Sequence, residues 1–205
     1  MKIYDVSMDI HPNMPVYKNL EEKKPKIRVV KDYSSGDIYE TCVELDMHCG
    51  THIDSPLHVY PNGDSTDNLD FIAFGKCSVL DMTHITKSIS NKDLKNKNIE
   101  QDSFVFFKTK SSFSDSFDPD FIYLDASGAE YIKDLNVKGV GIDSLGIERS
   151  QPDHQTHKTL LGNGIIIIEG LRLSHVPEGT YKLIALPLKI KGVEAAPARI
   201  ILIEE

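Results

Sequence analysis

The feature that most constrains this sequence is an eleven-residue segment that runs from His48 to His58. Its order is His-Cys-Gly-Thr-His-Ile-Asp-Ser-Pro-Leu-His, so it holds three histidines and one aspartate. Imidazole and carboxylate groups are ligands that suit zinc, manganese or ferrous iron. Gly50 permits backbone conformations that other residues resist, and Pro56 fixes its own φ angle. The segment is therefore predicted to bind metal while the rest of the chain holds it in place.

Regular secondary structure cannot bring the four candidate ligands of this segment to one ion. On a strand, the three histidines and Asp54 would share one face. A straight strand of that length, however, would spread them over roughly 30 Å. A helix would place His48 beside His52, but the glycine and the proline weaken a helix. We therefore expect the segment to fold back on itself, and its sequence leaves open whether a helical turn begins it.

The chemistry of the segment suggests that some of its residues bind metal and that another transfers protons. His48, His52 and Asp54 offer two nitrogens and one oxygen, which is the number of protein ligands that a catalytic zinc takes. Zinc allows bound water to ionise at about pH 7, which provides hydroxide. His58 would then be free to move protons, because an unperturbed imidazole has a pKa of about 6.5. One isolated histidine is usually structural, but this density of ligands favours metal binding.

A second group of candidate ligands lies about a hundred residues further along the chain. His154 and His157 belong to the run Asp-His-Gln-Thr-His, and Glu169 directly follows four isoleucines at 165–168. A carboxylate at the end of a buried strand is costly unless it is paired or bound to metal. The alternative is that Glu169 has reached the surface. Periodicity does not decide which of the two histidines is a ligand.

The remaining pattern predicts a β-rich α/β domain that spans residues 1–205, with a mixed sheet or barrel and a few short helices. Apolar alternation and β-branched runs predict strands at residues 2–10, 27–30, 38–45, 77–82, 104–108, 140–143, 165–168, 181–186 and 198–203. The second and third of these strands should form a hairpin. Helices are predicted at residues 91–95 and 125–133, and a helical turn at residues 71–74.

Composition argues against several classes of partner. The net charge of −8 argues against a nucleic-acid binder, which needs a basic face. The longest apolar run, residues 165–168, is too short to span a bilayer, so no membrane partner is expected. Three cysteines without a CxxC pair, and an N-terminus unlike a secretory leader, predict a cytoplasmic protein with reduced thiols. The expected partner is a small-molecule substrate.

The complete run His-x-Gly-Thr-His-x-Asp-x-Pro-x-His at residues 48–58 resembles the signature of the cyclase family, which includes bacterial kynurenine formamidase and isatin hydrolase. Other parts of the sequence are also similar to this family. They are Gly-Ile-Asp-Ser at 141–144, a histidine twelve residues before Glu169, Leu-Pro-Leu-Lys at 186–189 and Ala-Pro-Ala-Arg at 196–199. They follow the family order, so the resemblance extends over nearly the whole chain.

This resemblance implies a swivelling β/β/α fold and a binuclear centre, with two zinc ions per chain and manganese as the other candidate metal. His48, His52 and Asp54 would hold the first ion, and Asp54 would also reach the second. His157 would bind the second ion, and Glu169 would bridge both ions. Of the two histidines in the second group, the resemblance thus implies that His157 is the ligand.

The implied reaction is hydrolysis of a small amide carbon–nitrogen bond, in an N-formyl amide or a lactam. A metal-bound hydroxide would attack the carbonyl, and His58 would protonate the leaving nitrogen. Formamidase members usually carry Pro-x-Trp-Pro-Gly-Asp near the N-terminus, whereas residues 15–20 here are Pro-Val-Tyr-Lys-Asn-Leu. Tyr17 would therefore replace the tryptophan as a wall for the substrate.

Two other functions remain open at the level of sequence. The same scaffold could hydrolyse a lactone or another cyclic ester, or the chain could bind metal and a small molecule without turnover. The resemblance also implies a homodimer or a higher homo-oligomer.

Overall fold

The computed structural model describes residues 1–68 and 73–204, and this part of the chain contains twelve strands and three α-helices. The strands are β1 (Lys2–Asp5), β2 (Lys26–Lys31), β3 (Glu40–Glu44), β4 (His52–Asp54), β5 (Ala73–Asp81), β6 (Ser88–Ile89), β7 (Phe104–Lys108), β8 (Tyr123–Leu124), β9 (Gly139–Ile142), β10 (Ile166–Glu169), β11 (Gly179–Pro187) and β12 (Ala195–Glu204). The helices are α1 (Asn91–Leu94), α2 (Ala126–Asp134) and α3 (Gln155–Leu161). Among the described residues, none of these helices is both long and apolar enough to cross a membrane.

Seven of the strands close into a barrel. The order in the large sheet is β1-β12-β11-β5-β7-β9-β10-β4, and β4 also pairs with β12, which completes the ring. The pairs β5–β7, β7–β9 and β9–β10 are parallel, and the other pairs are antiparallel. Closure lets each barrel strand satisfy its backbone hydrogen bonds on both sides. The predicted β-rich α/β fold with a mixed barrel is therefore confirmed.

Strand β7 shows how the sequence fills both sides of the barrel wall. Successive side chains of a strand point to opposite faces. Phe104 and Phe106 pack inside the barrel, whereas Val105 and Phe107 pack outside it against the helices. All five residues of the strand are buried, which is typical of a strand in the middle of a sheet. Each buried phenylalanine stabilises the fold by about 1.5–3 kcal/mol.

The helices cover the outer face of the barrel, and their ends explain which of them could be predicted. In α2, the side chain of Asp125 accepts a hydrogen bond from the backbone N–H of Gly128. In α1, Ser90 and Asp93 form a capping box. Both helices were predicted. Helix α3 was not predicted, because His154 precedes it in a left-handed conformation without a side-chain cap.

Three other segments refine the sequence predictions. The predicted hairpin is confirmed as a separate two-stranded sheet of β2 and β3, and both strands are exposed throughout. Strand β1 is shorter than predicted and ends at Asp5. The helical turn predicted at 71–74 lies partly outside the described residues, since 71 and 72 are not described. Its other two positions, Ala73 and Phe74, begin β5, so a helical turn there is wrong.

Gly170 follows β10 and brings two distant segments into contact. Its φ is +68°, and a Cβ at this position would lie 2.4 Å from the carbonyl oxygen of Gly50. The hydroxyl of Thr51 donates a hydrogen bond to the carbonyl of Gly170 at 2.6 Å. The backbone N–H of Gly170 donates to Ser144 at 2.8 Å. This close approach, which requires glycine, fixes the end of β10 beside the segment at residues 48–58.

We expect Gly170→Ala to destabilise the protein more than Gly164→Ala does. Gly164 has a similar φ of +72°, but a Cβ there would meet open space. Both variants share a backbone strain of about 1 kcal/mol, and only Gly170→Ala adds steric overlap, which costs about 1–3 kcal/mol more. Urea unfolding under identical metal conditions measures the difference. Equal losses of unfolding free energy would contradict this account of Gly170.

Candidate metal centre

Strands β4 and β10 place three candidate ligands, His52, Asp54 and Glu169, side by side. The strands are antiparallel, with His52 opposite Glu169 and Asp54 opposite Ile167. Ile53 points into the barrel, so its neighbours His52 and Asp54 point to the outer face. All three polar side chains are buried. The structure thus brings Glu169 into contact with the 48–58 segment and rules out the alternative that this carboxylate has reached the surface.

The carboxylate of Asp54 lies between two groups of candidate ligands. Its Oδ1 is 3.2 Å from Nδ1 of His48 and 3.4 Å from Nε2 of His52. Its Oδ2 is 3.6 Å from Nε2 of His157, which lies in the first turn of α3. Glu169 spans the same two groups, since its oxygens lie 3.4 Å from His52 and 3.4 Å from His157. This geometry fits the predicted roles of Asp54 and Glu169 as shared ligands.

The same carboxylate shows that these residues fit a metal. Both oxygens of Asp54 are buried, and neither has a hydrogen-bond partner within the described part of the chain. A buried charge of this kind is costly unless a cation or a hydrogen bond compensates it. Clusters such as His52, Asp54 and Glu169 place one ligand atom from each residue within 4.8 Å of the others. Imidazole nitrogen and carboxylate oxygen are donors that zinc and manganese accept.

The electrostatics of the site also favour a cation. Burial and the charge of Asp54 would raise the pKa of Glu169, but hydrogen bonds from His157 and His52 hold it at about 2. Burial would lower the pKa of His52, yet the carboxylates of Glu169 and Asp54 raise it to about 9. Near pH 7 the carboxylate of Glu169 is therefore ionised and His52 is protonated, so the positive charge that the carboxylates attract is either this proton or a metal ion that replaces it.

His58 lies beside this cluster at the end of a short 3₁₀ helix, Pro56–His58. The helical turn of the motif is thus at its end, after β4. The ring centroid of His58 is 4.4 Å from that of His48 and 5.2 Å from that of His157. Burial lowers the pKa of His58, which keeps its ring neutral near pH 7. The position suits proton transfer, although the geometry would also allow His58 to join His48 and Asp54 as a ligand.

A cavity of about 440 Å³ opens onto the candidate ligands. Its lining includes His48, His58, His157 and Glu169, and Tyr17 forms part of its wall. The tyrosine ring packs edge-to-face with two phenylalanines, Phe117 and Phe121, at centroid distances of 5.5 and 6.4 Å. The structure therefore places Tyr17 where a substrate wall was predicted, and its contact with a substrate stays a prediction.

Two residues near the centre, Glu148 and Glu194, were not predicted from the sequence. The buried carboxylate of Glu148 lies 2.7 Å from Nδ1 of His154 and 3.3 Å from Nδ1 of His157. Glu194 lies 3.5 Å from Nε2 of His48. Neither glutamate belongs to a periodic or motif signal. His154 contacts Glu148 and forms a further candidate metal group with Glu148 and His157. Of the two histidines, only His157 contacts Asp54 and Glu169 among the described residues, and its role as a ligand stays a prediction.

Comparison with known sequences identifies the family. The family model described as "Putative cyclase" matches residues 4–149. Kynurenine formamidase from Salinibacter ruber is 32% identical over 206 residues, which cover 98% of this chain and 97% of that protein. Cyclase-like protein 3 from Arabidopsis thaliana is 34% identical over 217 residues, which cover 99% of this chain and 80% of that protein. This chain belongs to the cyclase family, as its motif predicted.

Solved structures agree with this assignment. A protein described as a potential metal-dependent hydrolase with cyclase activity matches with a TM-score of 0.90 and 46% identity, covering 98% of this chain and 96% of that chain. Isatin hydrolase A from Labrenzia aggregata matches with a TM-score of 0.84 and 22% identity, covering 100% of this chain and 94% of that chain. Because isatin hydrolase A is only 22% identical to this chain, its similarity shows the fold alone.

Removing metal should lower the melting temperature of the protein. Without a metal ion, only the neighbouring imidazoles compensate the charge of the buried carboxylate of Asp54, and ion binding no longer stabilises the folded state. An ion present at a hundred times its Kd contributes about 2.7 kcal/mol, which corresponds to roughly 5–10 °C for a chain of this size. Thermal unfolding before and after chelation measures the shift.

The matched variant is Asp54→Asn, which removes the shared charge and should make the melting temperature insensitive to the chelator. Elemental analysis should find about two divalent ions per wild-type chain and fewer in the variant. An unchanged melting temperature in chelated wild-type protein would contradict a metal site that is integral to the fold.

Proposed function

We propose that this chain is a metal-dependent hydrolase that cleaves the carbon–nitrogen bond of a small, non-peptide amide. The observation that carries this proposal is the buried carboxylate of Asp54, which has no hydrogen-bond partner in the described chain and lies between two groups of ligands. Two divalent ions, zinc or manganese, would be held by His48, His52, Asp54, His157 and Glu169. The cavity beside them is within the size range of small-molecule sites.

When bound, divalent metal supplies Lewis acidity and lowers the pKa of water. The protein itself contributes the proton transfer. His58 borders both groups of candidate ligands, and its lowered pKa leaves the ring ready to accept a proton. It can then donate this proton to the leaving nitrogen, which departs poorly as an anion. Tyr17 and Leu145 line the cavity and would help to keep bulk water away from the reacting bond.

The relatives support an amide as the substrate. The Salinibacter protein, similar along nearly the whole chain, is named a kynurenine formamidase. Kynurenine formamidases from Sphingopyxis alaskensis and Erythrobacter litoralis are 29% and 30% identical over 99% of this chain. An aryl formamide is therefore the first substrate to test. Tyr17, packed against Phe117 and Phe121, offers a flat aromatic surface for such a ring.

The metal-loaded enzyme should hydrolyse an N-formyl aryl amide faster than a lactone of similar size. His58→Ala should lower kcat on the amide by about 10²–10⁴-fold, since the leaving nitrogen loses its proton donor. The effect on the lactone should be smaller, because an alkoxide leaves more readily than an amide anion. Steady-state rates on both substrates test this expectation.

The matched control for this experiment is His84→Ala, which removes an exposed histidine outside the cavity and should leave kcat unchanged. Turnover of lactones alone would favour the cyclic-ester alternative. If neither the amide, a lactam nor the lactone is hydrolysed by metal-loaded wild-type protein, a binding protein without turnover becomes the better description.

We also propose that the chain forms a homodimer through the hairpin of β2 and β3. Three apolar residues share one face of it, and Ile27, Val29 and Val43 are 41%, 46% and 48% exposed. Ion pairs between Lys26 and Glu44 and between Lys31 and Glu40 neutralise charge on the hairpin. Two identical copies can therefore approach without strong like-charge repulsion.

Replacing both Val29 and Val43 by lysine should convert the dimer to a monomer, because each copy would then bring two unpaired charges to the apolar face. Sedimentation velocity at several protein concentrations measures the assembly state. Leu188→Lys, which changes another exposed apolar residue outside the hairpin, is the control and should leave the dimer intact. A double variant that sediments like wild type would contradict an interface at this hairpin.

The three cysteines support the expected cytoplasmic location. Cys42, Cys49 and Cys77 are all free, and the latter two are buried. Free thiols in a chain of this kind suit a reducing compartment. We therefore retain the cytoplasm as the proposed site of action.

A further inference from the structure

Glu148 lies outside the proposed ligand set, yet its buried carboxylate contacts a candidate ligand from behind. Its Oε2 is 3.3 Å from Nδ1 of His157. The other ring nitrogen of this histidine, Nε2, faces Asp54 and Glu169. The imidazole is thus held between a carboxylate on one side and the candidate metal centre on the other.

We propose that Glu148 is a positioning residue that orients His157 and selectively strengthens the second of the two metal positions. This inference rests on the proposed binuclear centre. Glu148, His154 and His157 form a candidate metal group of their own among the described residues, but Glu148 is absent from both groups that include Asp54. Its contact with the proposed centre therefore runs through His157.

The position of the imidazole proton decides which ring nitrogen of His157 can bind metal. A neutral imidazole carries one N–H, and its other nitrogen is free to bind metal. A carboxylate can only accept a hydrogen bond, so Glu148 favours the form of His157 with the proton on Nδ1. The lone pair of Nε2 then points towards Asp54 and Glu169. A carboxylate behind a metal-bound histidine also makes the ring a stronger ligand.

The other candidate histidine ligands have different support. Nδ1 of His52 donates to the backbone carbonyl of Gly50 at 2.9 Å. Nε2 of His48 lies 3.5 Å from Glu194, whose side chain is 40% exposed. A buried carboxylate supports His157 alone among these three described histidines. The two metal positions therefore differ in the strength of their supporting contacts.

Glu148 also fixes the backbone that carries His157. Its Oε2 accepts a hydrogen bond from the backbone N–H of His157 at 3.2 Å, and its Oε1 lies 2.7 Å from Nδ1 of His154. The segment before α3 contains two left-handed residues, Asp153 and His154, with φ of 56° and 51°. The hydrogen bonds from the His157 backbone and from the His154 ring hold this unfavourable backbone in place, and the 3.3 Å contact with Nδ1 lies against the ring of His157.

Metal affinity is the direct test. Metal-free wild-type protein and Glu148→Gln are titrated with Zn²⁺ against a chromophoric chelator of known affinity. Wild type should bind two ions. Glu148→Gln should bind one ion as wild type does and the other about 10–100-fold more weakly. Glu194→Gln is the matched control, because it removes a carboxylate from the other metal position and should leave the affinity of the second ion unchanged.

Two further measurements separate positioning from folding. Nitrogen-15 spectra of the imidazoles should show a slowly exchanging Nδ1 proton for His157 in zinc-loaded wild type, and Glu148→Ala should lose this signal. His154→Ala removes the second histidine contact of Glu148 and should keep both zinc affinities within about twofold of wild type. Circular dichroism checks that each variant is folded.

The outcomes distinguish this inference from the proposed function. Wild-type protein that binds fewer than two ions would overturn the binuclear centre itself. If wild type and Glu148→Gln bind two ions with equal affinities, the proposed role of Glu148 is overturned, but the binuclear centre is not. Loss of both ions in Glu148→Gln would assign this residue a structural role instead. If wild-type protein instead binds a third ion that both Glu148→Gln and His154→Ala lose, this result shows that Glu148 is itself a ligand and overturns its positioning role.

Discussion

The buried charge of Asp54 is the constraint on which the rest of the structure depends. This residue ends β4, the strand that closes the barrel, and it pairs with Ile167 of β10 on one side and Ala195 of β12 on the other. The carboxylate is therefore held by backbone pairing on both flanks, although its own oxygens have no hydrogen-bond partner among the described residues. The same short strand therefore closes the barrel and carries the charge of the candidate centre. The stability of the fold and the affinity for metal are linked through this strand.

Strand alternation explains how one segment serves both the core and the centre. Ile53 packs inside the barrel, whereas His52 and Asp54 point to the outer face, where α3 brings His157. A shift of the register by one residue would exchange these faces, moving the ligands into the apolar interior of the barrel and the isoleucine to the candidate metal centre. The apolar side chain therefore fixes which way the ligands point. This is why a three-residue strand is enough to orient them.

Much of this arrangement was predictable because its signals are local. The all-apolar strand β7 and the density of ligands at residues 48–58 are visible in a few consecutive residues. Helix α3 was missed because the residue that precedes it, His154, is left-handed and its side chain does not cap the helix. Glu148 was missed for a different reason. It acts through His157, nine residues away and on another element, and nothing about a single glutamate in an irregular segment indicates burial. Contacts of this kind arise only when the chain is folded.

The walls of the cavity have a consequence for how such a protein can change over time. The candidate ligands are fixed by the barrel and α3, but the rim comes from two irregular segments, around Lys18 and around Ser150. Both contain residues with positive φ, and neither belongs to the barrel. Substitutions, insertions or deletions around Lys18 can therefore reshape the cavity while the ligand geometry is preserved. The segment around Ser150 is more constrained, because it joins Glu148 to His154 and His157, both of which contact this glutamate. Relatives can therefore diverge in substrate range by altering the first segment and keep the same reactive centre.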